Sequence, residues 1–232
     1  MFEKQLRDLA ARHLTRHLTP LHSGVGPVVE VDGRQILLFA SNDYLGLAMH
    51  PEVIQSAVEA TQRFGAGAGA SRLISGSLPP HQELESALAQ FKGTEAALTF
   101  SSGYLANIGT IPALTEQGGL ILADRLCHAS LIDGCRLSAA DFRIYRHNDI
   151  DHLQSLLAKR RQTHRTLIVT DGLFSMDGDL APLPELCRLA KDYEADTYID
   201  DAHGTGVMGP HGRGTAEHFG IDSQIPFQMG TL

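Results

Sequence analysis

The stretch TLIVTDGLFSMDGDLAPLPELCRLAKDYEADTYIDDAHGTG, residues 166–206, holds one strand–helix–strand unit. Leu167 to Thr170 is a short apolar run that ends at the turn signal Asp171-Gly172. Leu183 to Tyr193 reads as a helix, and Thr197 to Ile199 as a second strand that ends at Asp200-Asp201. The same alternation extends toward the N-terminus. Helices are expected over Pro80–Phe91, Tyr104–Leu114, Leu131–Leu137 and Ile150–Lys159, and strands over Ala96–Phe100, Leu120–Ala123 and Phe142–Tyr145. Short apolar strands that alternate with helices predict an α/β fold, with a mostly parallel sheet and helices on both faces.

Upstream of that region the pattern changes. Phe2, Leu6, Leu9 and His13 form one stripe of a first helix. Val28–Val31 and Ile36–Phe39 flank Asp32-Gly33, which predicts a hairpin. Pro51 opens a helix that runs to about Phe64. The run Gly65-Ala66-Gly67-Ala68-Gly69-Ala70 imitates a dinucleotide fingerprint, but it follows a helix rather than a strand. It reads instead as a loop passing close to a ligand or a partner subunit.

The net charge of -8 speaks against a broad nucleic-acid surface. The N-terminus has no long apolar run, so a cytoplasmic protein without a signal peptide or membrane span is expected. Cys127, Cys135 and Cys187 form no CxxC pair and are expected as reduced thiols.

In open parallel sheets, ligands bind beyond the carboxyl ends of the strands. Four polar stretches fall there: Ser101–Tyr104, Asp124–Ser130, Asp171–Asp177 and Asp200–His203. Ser102-Gly103-Tyr104, where a strand turns into a helix, suits either a phosphate or an ordinary serine cap. Asp200 suits a protonated heteroaromatic nitrogen, or a simple loop aspartate. Asp200, Asp201 and His203 together also admit a metal site, though no second cluster supplies further ligands. His128 after Cys127 reads as a ring stacked on a cofactor, a weak Cys–His dyad, or a plain polar side chain.

Taken together the motifs resemble the α-oxoamine synthases. The resemblance rests on Ser41–Leu47 (SNDYLGL), His81 with Leu84-Glu85, Asp171–Gly178 (DGLFSMDG) and Asp200–Gly206 (DDAHGTG), in order along nearly the whole chain. It implies the fold of type I PLP-dependent transferases and a homodimer. Residues 1–45 then form an N-terminal helix and hairpin segment, and residues 46–232 a large domain that binds pyridoxal 5'-phosphate (PLP). Asp179–Leu183 and Asp200–Gly206 look most like the biotin-pathway branch. That branch condenses L-alanine with a pimeloyl thioester, pimeloyl-CoA or pimeloyl-acyl carrier protein, with loss of CO2.

By position, the resemblance assigns Gly103, Tyr104, His128, Ser175, Asp200, His203 and Thr231 to the cofactor. His128, Asp200 and His203 take catalytic roles, and Arg16 and His128 touch substrate. The family pattern continues Thr-Leu-Gly-Lys, whereas this sequence stops at Thr231-Leu232. The expectation is therefore a chain without the Schiff-base lysine or the C-terminal domain, inactive alone. The alternatives are another α-oxoamine synthase, using glycine or serine with an acyl-CoA, or a non-catalytic PLP-fold remnant.

Overall fold

The computed structural model describes residues 2–160 and 164–232. The chain divides into two compact units, Met1–Arg63 and Phe64–Leu232.

The first unit contains helix α1 (Phe2–Ala11), strands β1 (Val28–Val31) and β2 (Arg34–Leu37), and most of helix α2 (Pro51–Phe64). Val31 pairs with Arg34, so Asp32-Gly33 is a two-residue loop. Both loop residues have positive φ, 49° and 72°. This is the backbone that matches strand twist in a tight hairpin, and glycine and aspartate adopt it at low cost. The turn sets the register, so β2 starts two residues earlier than its apolar pattern indicated.

The second unit contains α3 (Pro79–Lys92), α4 (Gly103–Ala113), β3 (Leu120–Asp124), α5 (Ala129–Leu137), β4 (Asp141–Tyr145), α6 (Ile150–Leu157), β5 (Thr166–Asp171), α7 (Leu183–Asp192), β6 (Asp196–Asp200), α8 (Thr215–His218) and β7 (Phe227–Met229). The sheet has the order β4-β3-β5-β6-β7, and every pairing is parallel. Strand side chains alternate between its two faces. Leu120, Leu122, Ile168 and Ile199 pack with α6 and α7 residues such as Leu153, Leu157, Leu186 and Leu189. Ile121, Ala123, Leu167, Val169 and Tyr198 pack with Ile111 of α4 and Leu131 and Cys135 of α5. The core strands are buried on both faces, which is why they read as continuous apolar runs.

Two elements depart from the sequence reading. Ala96–Phe100, expected as a strand, pairs with nothing among the described residues. Its apolar composition gives β-propensity, but a strand exists only where a ladder partner is present. Leu98 accordingly stays 68% exposed. Conversely, β7 was missed, because three residues are too few to show alternation.

Arg72 joins the glycine-rich stretch to α3 with a bidentate pair to Glu85, at 2.5 and 2.9 Å. Glu85 also accepts from the Thr99 amide at 2.8 Å. Hydrogen bonding to Arg72 is the main cause that holds the Glu85 carboxyl down at about 2.

Leu73, Ile74, Leu98 and Met176 of this unit are exposed. Among the described residues, the outer edges of β4 and β7 carry no pairing strand. Unpaired edges beside apolar surface template association. Residues 1–232 expressed alone are therefore expected to self-associate. Light scattering after size-exclusion chromatography checks this, and a monodisperse monomer contradicts it.

Candidate active site

Register brings the site together. Asp171 ends β5 and Asp200 ends β6, and the two are paired across the ladder. Both are buried. Partners in register point to the same face of a sheet, so the two carboxyls share one environment. Burial, and then the Asp200 charge, push Asp171 up to about 7, while the His128 amide that donates to it pulls the other way. Burial also raises Asp200, against its hydrogen bonds from Asn107 and the Ala202 amide and the nearby imidazoles of His128 and His203.

Asp200 is fixed by neutral donors. Asn107 Nδ2 donates to Asp200 Oδ2 at 2.8 Å, and the Ala202 amide donates to Oδ1 at 3.1 Å. Asn107 also donates to Ser130 Oγ and accepts from the Tyr198 hydroxyl, each at 2.8 Å. The side chains of Asn107, Ser130, Tyr198 and Asp200 are all buried. The sequence reading passed over Asn107 and Ser130. The available signal was an asparagine inside the apolar helix GYLANIGTIPA, since a fully buried amide needs partners.

His128 is exposed and caps α5, where its Nδ1 lies 2.7 Å from Ser130 Oγ. Ser102 caps α4 by accepting from the Leu105 amide at 3.2 Å. Gly103 and Tyr104 open that helix, where no helix carbonyl can accept their N–H groups. Thr231 lies against this start: a Cβ on Gly103 would come within 2.9 Å of Thr231 Cγ2. The Tyr104 hydroxyl donates to Asp133 at 3.1 Å. His203 is half-buried in the turns after β6, and Ser175 is exposed in the loop after β5. Arg16 belongs to the first unit, in the exposed segment between α1 and β1.

Asp201 does something different from Asp200. Its carboxylate accepts from the Thr215 amide and hydroxyl, at 3.0 and 2.7 Å, and faces Lys92 Nζ at 3.6 Å. It therefore organises the loop that leads to α8. Among the described residues, no group of three His, Cys, Asp or Glu side chains has metal-holding geometry. Cys127, Cys135 and Cys187 are buried thiols. No helix among the described residues is long and apolar enough to cross a membrane.

Beyond its strand ends the parallel sheet thus carries two carboxyls, two imidazoles and a capped helix start. The chain belongs to the aminotransferase class I and II family, whose model matches residues 34–232. Within it the chain falls among the α-oxoamine synthases, which are pyridoxal-phosphate enzymes. It is similar to the 8-amino-7-oxononanoate synthase of Geobacter sulfurreducens, at 54% identity over 98% of this chain and 58% of that protein. The enzyme of the same name from Thermoanaerobacter pseudethanolicus is 48% identical over 99% of this chain and 58% of its own length. Among solved structures, a lysine-to-alanine variant of the serine palmitoyltransferase of S. paucimobilis with a bound PLP–myriocin aldimine matches at a TM-score of 0.92 and 34% identity. That match covers 99% of this chain and 58% of the other. The chain thus spans under two thirds of the length of these relatives.

Proposed function

We propose that this chain supplies the cofactor-binding half of an 8-amino-7-oxononanoate synthase, which joins L-alanine to a pimeloyl thioester with loss of CO2. The observation that carries this reading is Asp200. It is a buried carboxylate at a strand end, and two neutral donors, the Asn107 side-chain amide and the Ala202 backbone N–H, fix its two oxygens. A buried carboxylate calls for a cationic partner, and a protonated pyridine nitrogen is one.

The residues fit PLP, which when bound supplies an electron sink for the carbanion at the amino-acid Cα. Asp200 would hold the proton on the ring nitrogen, with Asn107 fixing the carboxylate. The exposed His128 ring would cover a face of the cofactor. Ser175 and His203 would tune the ring oxygen. The Gly103 and Tyr104 amides and Thr231 would receive the phosphate, since helix N-termini favour anions. The chain spans 58% of the length of these relatives, and the activity is assigned to the full-length, homodimeric protein.

The likeness to serine palmitoyltransferase favours a second reading, serine with an acyl-CoA. A matrix of alanine, glycine and serine against pimeloyl and long-chain thioesters, assayed on the full-length protein for CO2 release, separates the two. Turnover is expected with alanine and a pimeloyl thioester. Preference for serine with a long-chain acyl-CoA overturns the assignment.

A further inference from the structure

His147 follows β4 and lies between two carboxylates. Its Nδ1 is 2.9 Å from Asp124 Oδ1 and its Nε2 is 2.8 Å from Asp179 Oδ2. A neutral imidazole has one N–H and cannot donate to both. Two short contacts to carboxylates favour an imidazolium over the neutral tautomer, whose Nε2 would instead accept from the Asn148 side-chain amide nitrogen 3.3 Å away. Asp124 is fully buried at the end of β3 and also accepts from the amides of Leu126 and Asn148, each at 2.8 Å. A buried carboxylate needs a counter-charge, and His147 provides it. Asn148 supports the bridge: it adopts φ of 51° and donates Nδ2 to Asp179 Oδ2 at 2.8 Å. The Phe174 ring packs against the imidazole edge-on at 4.6 Å.

The two carboxylates belong to different site loops. Asp124 begins the turn that leads to His128. Asp179 closes the loop that carries Ser175, where the Phe174 amide donates to the Asp179 carbonyl at 2.9 Å. We propose that His147 is a positioning residue: as an imidazolium bridging Asp124 and Asp179, it holds the His128-bearing turn and the Ser175-bearing loop at the strand ends. The importance of these two loops rests on the site reading above, but the bridge itself is tested without reference to activity.

The charged groups facing the imidazole are Asp124 from β3 and Asp179 from the loop after β5. The adjacent Arg146 is turned to Asp149 at 2.7 Å. Burial lowers the His147 value, but the hydrogen bonds to Asp124 and Asp179 outweigh it, and the net shift is upward. A raised folded value means that the bridge stabilises fully below the unfolded value and is lost as pH rises through the folded one.

The test uses the intact protein. Nitrogen NMR of the imidazoles follows His147, and hydrogen exchange over residues 173–180 follows the loop. The His147 midpoint is expected above the ordinary value of about 6.5. Loop exchange, corrected for intrinsic rate, should rise about tenfold as pH passes that midpoint. Asp179→Asn removes one carboxylate at an already part-exposed position, so the fold should survive. In that variant the midpoint should fall by about one pH unit, and the loop should open at correspondingly lower pH. A wild-type midpoint at or below about 6.5 overturns the proposal. So does loop exchange in Asp179→Asn that matches wild type throughout the pH range.

Discussion

Asp200→Asn, introduced into the full-length protein, is expected to lower kcat by about 10²–10³-fold while the apparent affinity for alanine changes little. That is the size of loss seen when one preorganised electrostatic group is removed from a developing charge. The carboxylate is buried, in register with Asp171, and held by Asn107 and the Ala202 amide. An amide at the same position fills the same space but carries no charge. It cannot favour the protonated pyridine nitrogen, so the carbanion step weakens while ground-state binding is spared. Steady-state kinetics with alanine and a pimeloyl thioester measure both quantities. A variant with near wild-type kcat, or one whose whole loss lies in KM, removes Asp200 from the role of pyridine partner. Zinc rescue would put the metal-site reading in its place.

The second large effect is on stability. Lys92→Met should cost about 3–5 kcal/mol, because it leaves the Asp201 charge buried without its partner. The Asp201 side chain is 2% exposed and that of Lys92 12%. Burial is the largest influence on each, lowering Lys92 and raising Asp201, which is the signature of a pair that has lost its water. Lys92 Nζ also donates to the Arg213 carbonyl at 2.5 Å, so the pair ties α3 to the loop before α8. The carboxylate has shaped its surroundings too. At Gly214, with φ of 110°, a Cβ would fall 1.6 Å from Asp201 Oδ2. Chemical denaturation of the full-length protein reads the loss. The folded fraction should keep kcat within a few-fold, since Lys92 touches Asp201 and not Asp200. A change in stability below about 0.5 kcal/mol would show that the charge finds water or another partner. Asp201→Asn then serves as the companion to Asp200→Asn: adjacent aspartates, one expected to govern turnover and the other folding.

How much of this was legible in the sequence differs from residue to residue. The alternation of elements was legible because short apolar strands and leucine-bearing helices write local periodicity into the chain. The hairpin turn was legible because Asp-Gly is chemically suited to positive φ. The placing of Asp124, Asp171 and Asp200 at strand ends followed from where each apolar run stops. DDAHGTG and DGLFSMDG stood out as candidates because each sets a carboxylate and polar or glycine residues just past an apolar strand.

The strand order β4-β3-β5-β6-β7 was not legible, nor was the register that sets Asp171 beside Asp200. Local pattern fixes what a segment is, whereas pairing is fixed by which faces bury one another. For the same reason Ala96–Phe100 looked like a strand and β7 did not. Asn107 reaches Asp200 from 93 positions away, and His147 joins carboxylates 23 and 32 positions off on either side. Contacts of that span leave no periodicity to read. They come from the requirement that a buried polar group find its partner, and only the packed sheet decides which partner lies within reach.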